Sequence, residues 1–153
     1  MIKTNRTIKT DNYYMDMAIE QAKKASRKQE VPVGCVIVNN NGKILAKAYN
    51  KREKSQNVIA HAEILALNKA CKKVKSWRLE ECKIYITLQP CPMCASAIEQ
   101  ARIKEVIYGT KIKNNLYSEN SEKILNKIDV RKYVRRQECS LLLTSFFQTK
   151  RIK

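Results

Sequence analysis

The chain is poor in histidine, in acidic residues and in long apolar runs. Its 153 residues include a single histidine, and 14 Asp and Glu stand against 31 Lys and Arg, so the formal net charge is +17. No apolar run is long enough to cross a membrane, and we therefore expect no membrane association. The first ten residues are polar and basic, which does not fit a secretory signal. This length predicts one domain that buries a substantial core.

The six cysteines are not arranged as a disulfide framework. This usage fits a reducing compartment, so we expect a cytoplasmic protein. Four of them have no regular spacing and are predicted to be small buried apolar residues: Cys35, Cys71, Cys82 and Cys139. No repeat, linker or low-complexity segment divides the chain. We expect a flexible N-terminal extension over residues 1–11 and a single domain over residues 12–153.

Two short motifs carry most of the chemical information. His61 and Glu63 are separated by one residue, and Cys91 and Cys94 follow in the run Pro-Cys-Pro-Met-Cys. One imidazole and two thiolates can hold zinc, and a catalytic zinc site takes three protein ligands and leaves a fourth position for water. Both halves of the motif precede helical patterns, so the thiols are predicted at a helix N-terminus, where the dipole favours thiolate. The sequence predicts a hydrolytic zinc site.

Other interpretations exist for each motif taken alone. A lone Cys-x-x-Cys pair is often a redox pair or half of a structural zinc ribbon. Glu63 alone would be read as a solvated carboxylate in the first turn of a helix. A closed structural site needs a fourth Cys or His, but the chain has one His and its other cysteines lie at no regular spacing to the pair. The combination of His-x-Glu with Pro-Cys-x-x-Cys favours the catalytic site.

Hydrophobic periodicity predicts alternating helices and strands. Apolar residues at helical spacing predict a first helix over 12–28, and an apolar strand over 33–38 is joined by an Asn-Gly turn to an antiparallel strand over 43–49. The remaining predicted elements are a helix from 61 to about 71, a strand over 83–87, a cysteine-bearing helix ending near 100, a strand over 105–108 and a helix after 139. Strands that alternate with helices imply a three-layer α/β/α domain with one mixed sheet.

The motif His-x-Glu…Pro-Cys-x-x-Cys is the signature of zinc-dependent nucleobase deaminases. The wider sequence resembles the bacterial tRNA-specific adenosine deaminase family from about Asn12 to Arg151. The matching segments are 30–34, Asn50, 60–63, 87–88, 90–91 and 138–151. The resemblance implies a cytidine deaminase-like fold with a five-stranded sheet, one zinc per subunit, a homodimer and a tRNA anticodon stem-loop as partner.

The resemblance also implies roles for individual residues. The metal ligands would be His61, Cys91 and Cys94. Glu63 would take a proton from the attacking water and return it to the base and to the leaving amine, which converts the wobble adenosine to inosine. The implied substrate-binding residues are Asn50, Val33, Ala62, Phe147 and Arg151. For Phe147, helical spacing with Leu142, Leu143 and Phe146 also fits a place in the core.

The positive charge fits a polyanionic partner but also fits a solvated lysine-rich surface. The cations that concentrate near the end of the chain would make a phosphate-contacting face: Arg131, Lys132, Arg135, Arg136, Lys150, Arg151 and Lys153. If RNA is not bound, the alternative is a small-molecule deaminase acting on cytosine, guanine or cytidine. A noncatalytic RNA-binding subunit is a third possibility, which the intact zinc motif disfavours.

Three positions depart from the family pattern. Gln89 stands where a glutamate usually precedes Pro-Cys, and Val58-Ile59 replaces the usual Pro-Thr before the histidine block. The segment 111–116 lacks the usual acidic, glycine-containing loop, and Ile112 falls where an aspartate is expected. No ligand is lost. Because that loop borders the nucleic-acid channel in the family, we expect RNA recognition to be altered, relaxed or lost.

Overall fold

The computed structural model describes residues 9–152, with the side chains of residues 9–150. The sequence assigned an RNA contact to Arg151, whose side chain lies outside this described part. The described elements, in chain order, are α1 Asp11–Arg27, β1 Gly34–Val38, β2 Ile44–Tyr49, α2 Arg52–Ser55, α3 Ala62–Val74, β3 Lys83–Leu88, α4 Pro92–Gln100, β4 Glu105–Thr110, α5 Asn115–Ile124, β5 Asp129–Arg131 and α6 Arg136–Ile152.

The five strands form one mixed sheet in the order β2-β1-β3-β4-β5. Strand β1 pairs antiparallel with β2 and β3, while β3, β4 and β5 run parallel. The predicted Asn-Gly turn joins β1 to β2, and Gly42 has a φ of 80°, which a side chain would strain. The carboxyl end of β3 therefore leads directly into the cysteine segment, next to the end of β4.

Helices cover both faces of the sheet. On one face, α1 and α6 pack on a core that includes Tyr14, Met15, Tyr85 and Ile107. On the other face, α3 and α4 bury small and branched side chains in the larger core, including Ala66 and Ile98, against β1, β3 and β4. The three-layer α/β/α fold predicted from the sequence is confirmed, with the zinc-motif helices on one face and α6 on the opposite face.

Gly34 brings α1 into close contact with β1. A Cβ atom at this position would lie 1.9 Å from the backbone oxygen of Ala18 and 2.6 Å from the nitrogen of Ala22. Since both neighbours are backbone atoms of a buried helix, no side-chain movement can make room. Glycine is required here for helix–sheet packing.

Several elements differ from the sequence predictions. The short helix α2, the helix α5 and the strand β5 were not predicted from periodicity, because β5 has three residues and α5 buries only Ser118 and Ser121 in its helical span. Helix α6 begins at Arg136 rather than near Cys139. Helix α1 begins at Asp11, and most of the expected N-terminal extension, residues 1–8, lies outside the described residues.

The cysteines outside the motif behave mainly as predicted. Cys35, Cys82 and Cys139 are buried, whereas Cys71 is only half-buried, so that part of the prediction is wrong. Cys71 packs against the larger core from a partly buried position, and its thiol lies 3.8 Å from the carbonyl oxygen of Trp77. Within residues 9–152, no helix has the length and apolar character needed to cross a bilayer.

Candidate active site

Two helix N-termini meet at the site. His61 is the N-cap residue of α3, and Cys91 is the N-cap residue of α4. Cys94 lies in the first turn of α4, and Pro92 occupies the position at which proline is best tolerated in a helix. The spacing of three residues places both thiols on the same end of α4, as the sequence predicted. The free N–H groups and dipoles of these first turns favour anionic ligands.

The side-chain atoms of the motif converge on one point. His61 Nδ1 lies 3.7 Å from Cys91 Sγ and 3.5 Å from Cys94 Sγ. The three ligand atoms all lie within 4.8 Å of one another. A tetrahedral zinc ion, with bonds of about 2.0 Å to nitrogen and about 2.3 Å to sulfur, places these atoms about 3.5 Å apart. The donor set therefore fits zinc in both spacing and chemistry.

The protonation pattern also suits metal binding. The pKa of Cys91 is lowered to about 4, mainly by a hydrogen bond from Cys94 and to a lesser extent by one from His61, although burial opposes both. The same hydrogen bond with Cys91, together with burial, raises the pKa of Cys94. The hydrogen bond with Cys91 also raises the pKa of His61. These groups share protons that a cation would replace, because zinc binds Cys as thiolate and His as neutral imidazole.

Glu63 lies beside the ligands and is 4% exposed. Burial raises its pKa to about 7, while the positive charge on His61 acts in the opposite direction. A carboxyl group with a pKa near neutrality can both accept and return a proton, which is the property that general acid–base catalysis requires.

His61, Glu63 and Cys91 line a cavity of about 140 Å³, close to the roughly 150 Å³ of an apolar cavity that holds benzene. It suits one planar ring system. The complete lining is Val31, Val33, Asn50, Arg52, His61, Ala62, Glu63, Leu88, Gln89, Cys91 and Ile112. The structure thus brings Val33, Asn50 and Ala62 together with the metal ligands. Asn50 is buried, and its Oδ1 atom has no hydrogen-bond partner in the described part of the chain.

Phe147 is not brought to this cavity. It is 44% exposed on α6, on the opposite face of the sheet, whereas Phe146 is buried at 9%. The sequence had left open which phenylalanine enters the core, and burial selects Phe146.

Gln89 is a buried residue to which sequence reasoning gave no role in the site. It is 2% exposed, its Oε1 accepts hydrogen bonds from Ile112 N–H at 3.1 Å and Ser118 Oγ at 2.9 Å, and its Nε2 donates to Ser118 O at 3.2 Å. Its backbone N–H donates to Thr110 O at 2.7 Å. Two of the departures noted in the sequence are therefore in direct contact, since Gln89 holds Ile112 in the cavity wall. In the sequence, the only signal for this role of Gln89 was its departure from the glutamate that the family usually has at this position.

The comparisons with known proteins agree with this geometry. The family model for the cytidine and deoxycytidylate deaminase zinc-binding region matches residues 8–110. A tRNA-specific adenosine deaminase from Bacillus subtilis (strain 168) is 42% identical over 151 residues, which cover 94% of this chain and 92% of the relative.

Solved structures show the same fold. One, from studies of A-to-I editing by tRNA:A34 deaminases at the wobble position, has a TM-score of 0.79 and 31% identity, and covers 86% of this chain and 99% of its own. A guanine deaminase from Nitrosomonas europaea has a TM-score of 0.82 at 20% identity, and covers 92% of this chain and 86% of its own.

Proposed function

Because the chain belongs to the tRNA-specific adenosine deaminases, within the zinc-dependent deaminase family, we propose that it hydrolyses the wobble adenosine of a tRNA anticodon loop to inosine and ammonia. The observation that carries this function is the convergence of His61, Cys91 and Cys94 on one point beside buried Glu63. The alternative, a small-molecule deaminase for guanine, cytosine or cytidine, has weaker support, since the likeness to a guanine deaminase at 20% identity concerns the fold alone.

His61, Cys91 and Cys94 would hold one zinc ion per subunit. When bound, zinc would supply Lewis acidity that lowers the pKa of the attacking water to about 7. The cavity in front of the ligands takes a base that has left its stack, because the reacting atom of adenine cannot be reached inside a helix.

Glu63 moves the protons in this reaction. It accepts a proton from the water that attacks C6 of adenine and delivers it to ring N1. It then transfers the second proton of the water, from the hydroxyl now bound to C6, to the departing amino group. The products are ammonia and inosine. Its burial beside His61 supports this role, because a carboxyl group with a pKa of about 7 can exchange a proton in both directions at neutral pH.

Asn50 orients the substrate. Its Oδ1 atom is buried at the cavity and unpaired, and a buried acceptor without a partner costs about 1–3 kcal/mol. An N–H or O–H donor of the target nucleotide would supply the missing hydrogen bond. Val33 and Ala62 provide the apolar walls against which the base packs. A substrate that cannot donate a hydrogen bond at this position would bind more weakly, because Asn50 Oδ1 would stay unpaired.

Phe147 and Arg151 would contact the stem-loop outside the cavity. The exposed ring of Phe147 offers a surface on which a base can stack. Arg151 would add a cation for a phosphate.

A groove between α3 and α4 supports a homodimer. It measures about 590 Å³ and includes Trp77, which is 56% exposed. Its other lining residues are Ile64, Leu67, Asn68, Cys71, Ala97, Gln100, Ala101 and Arg102. An exposed tryptophan beside apolar side chains is typical of an interface.

The cysteines are all free in the structure, which supports a reducing, cytoplasmic location.

The function is tested by Glu63→Gln, which removes the proton-transferring group and keeps the shape of the side chain. We expect zinc content to stay at one ion per subunit, while inosine formation in total tRNA falls about 10²–10⁴-fold. The matched control is Glu99→Gln, which changes an exposed carboxyl on α4 and should leave activity unchanged. Normal inosine formation by the Glu63→Gln protein would contradict the proton-transfer role.

The same assay separates the two substrate classes. Wild-type protein is incubated with total tRNA and, separately, with guanine, cytosine and cytidine, and both inosine and ammonia are measured. Ammonia from a free base or nucleoside without inosine in tRNA would establish the small-molecule alternative.

A further inference from the structure

Two lysines lie over Tyr49 at the end of β2, and a third, Lys54, follows in α2. The Nζ atoms of Lys28 and Lys51 lie 5.6 Å and 5.0 Å from the centre of the Tyr49 ring. The pKa of the Tyr49 hydroxyl is lowered, first by a hydrogen bond from Lys28 and then, against burial, by the charges of Lys28, Lys51 and Lys54. These ammonium groups therefore form one electrostatic cluster, which we call the Tyr49 lysine cluster.

The backbone that carries the cluster is held in place. Glu30 is 1% exposed, and its carboxylate accepts hydrogen bonds from the backbone N–H of Glu53 at 3.0 Å and of Lys54 at 2.7 Å. The N–H of Lys51 donates to Ala60 O at 2.9 Å, directly before the histidine motif. A buried carboxylate that accepts two N–H bonds fixes the start of α2 relative to the cavity.

The charge of the cluster is not neutralised by neighbouring carboxylates. Among residues 9–150, Lys28, Lys51 and Lys54 take part in no ion pair within 4.0 Å. In the C-terminal segment, where the sequence placed the phosphate-contacting face, two arginines are paired. Arg131 lies 2.7 Å from Asp11 and Arg135 lies 2.9 Å from Asp16.

The residues of the cluster neighbour the cavity lining along the chain. Tyr49 and Lys51 flank Asn50, which lines the cavity, and Arg52 in the next position lines it as well. A nucleotide that enters the cavity base first leaves its two phosphates at the mouth, where the neighbouring backbone residues lie. Unneutralised cations at this position would face the strand on one side of the target nucleotide.

We propose that the Tyr49 lysine cluster binds backbone phosphates of the RNA strand adjoining the target nucleotide. Because ammonium groups already lie over the Tyr49 ring, the surface contacts phosphate charge rather than a stacked base, and it contributes affinity without base specificity. This surface rests on the proposed function and deepens it, since it assigns the phosphate contacts to the α1–β2–α2 side of the cavity.

The test measures the salt dependence of RNA binding. The zinc-loaded Glu63→Gln protein, which cannot consume its ligand, is titrated with an anticodon stem-loop at several salt concentrations. The triple variant Lys28→Gln, Lys51→Gln and Lys54→Gln is compared with a control that removes the same charge on α3 and after it: Lys72→Gln, Lys73→Gln and Lys75→Gln.

Each single-strand phosphate contact contributes about 0.7 to the slope of log K against log salt. With three contacts removed, the magnitude of the slope should therefore be about 2 smaller for the cluster variant than for its parent. Its affinity should be about 5-fold weaker per lost contact at about 0.1 M salt. The control should lose less than about 0.5 from the slope, because its charges lie away from the cavity mouth. Tyr49→Phe should bind like the parent, since it keeps the ring beneath the two ammonium groups.

Equal slopes for the cluster variant and its parent, or equal losses for the cluster variant and the control, would overturn the phosphate surface. Both triple variants must retain the zinc content and melting temperature of the parent. If wild-type protein forms inosine in tRNA while the cluster variant binds normally, the surface assignment alone is wrong. If wild-type protein forms no inosine, the proposed function itself fails.

Discussion

Replacing Gln89 by leucine tests whether this side chain holds the outer wall of the cavity. The substitution removes the acceptor for Ile112 N–H and Ser118 Oγ and the donor to Ser118 O. Each buried polar group left without a partner costs about 1–3 kcal/mol. Ser118 is buried, whereas Ile112 is half-buried, so the penalty falls mainly on Ser118. We therefore expect a loss of about 2–4 kcal/mol in the free energy of unfolding.

Urea denaturation of the zinc-loaded protein measures this loss. Gln89→Glu is the informative second variant, because a carboxyl group that burial keeps protonated retains the acceptor for both bonds and can donate its O–H to Ser118 O. Its loss should be smaller than that of Gln89→Leu. Gln137→Leu, on the exposed side of α6, is the control and should change stability by less than about 0.5 kcal/mol.

Activity adds a second measurement. Since Ile112 lines the cavity, its release should raise KM for the stem-loop more than it lowers kcat, while zinc content is unchanged. If the free energy of unfolding of Gln89→Leu lies within about 0.5 kcal/mol of the wild-type value and its KM is unchanged, Gln89 does not position the cavity wall at Ile112.

Two further predictions concern the scaffold. Gly34→Ala should destabilise the fold by at least about 3 kcal/mol, because the added methyl would overlap Ala18 O; a fall in melting temperature measures this, and an unchanged value would mean that α1 can move away from β1. Arg131→Met removes the hydrogen bonds that lower the pKa of Asp11. A lowered carboxyl pKa contributes stability above the unfolded value of about 4, which is lost as pH falls through the folded pKa. The difference between wild type and Arg131→Met, about 1 kcal/mol at neutral pH after solvent screening, should shrink in urea titrations below about pH 4, and a constant difference would contradict this origin.

The elements with strong periodicity were predictable from the sequence. Helix α1 and strands β1 to β4 were predicted close to their observed bounds, because each buries an apolar face or run. Helix α5 and strand β5 were not, since neither has enough buried apolar residues to show a period. The metal ligands were equally predictable from the sequence, because the chemistry of zinc requires particular side chains at short spacings within each motif.

The sequence by itself determined the donor set, the carboxyl beside it, the layered fold and the family. Tertiary structure alone decided which distant residues meet the motif. Asn50, Gln89 and Ile112 come from three different connections, and they share a cavity because the parallel strands β2, β3 and β4 end at the same edge of the sheet, where the antiparallel β1 begins. Tertiary structure also decided which cations are neutralised, since Arg131 finds Asp11 at 2.7 Å across 120 positions of the chain. Local sequence sets the conformation of a segment, but charge balance and burial depend on contacts between segments that only the folded chain brings together.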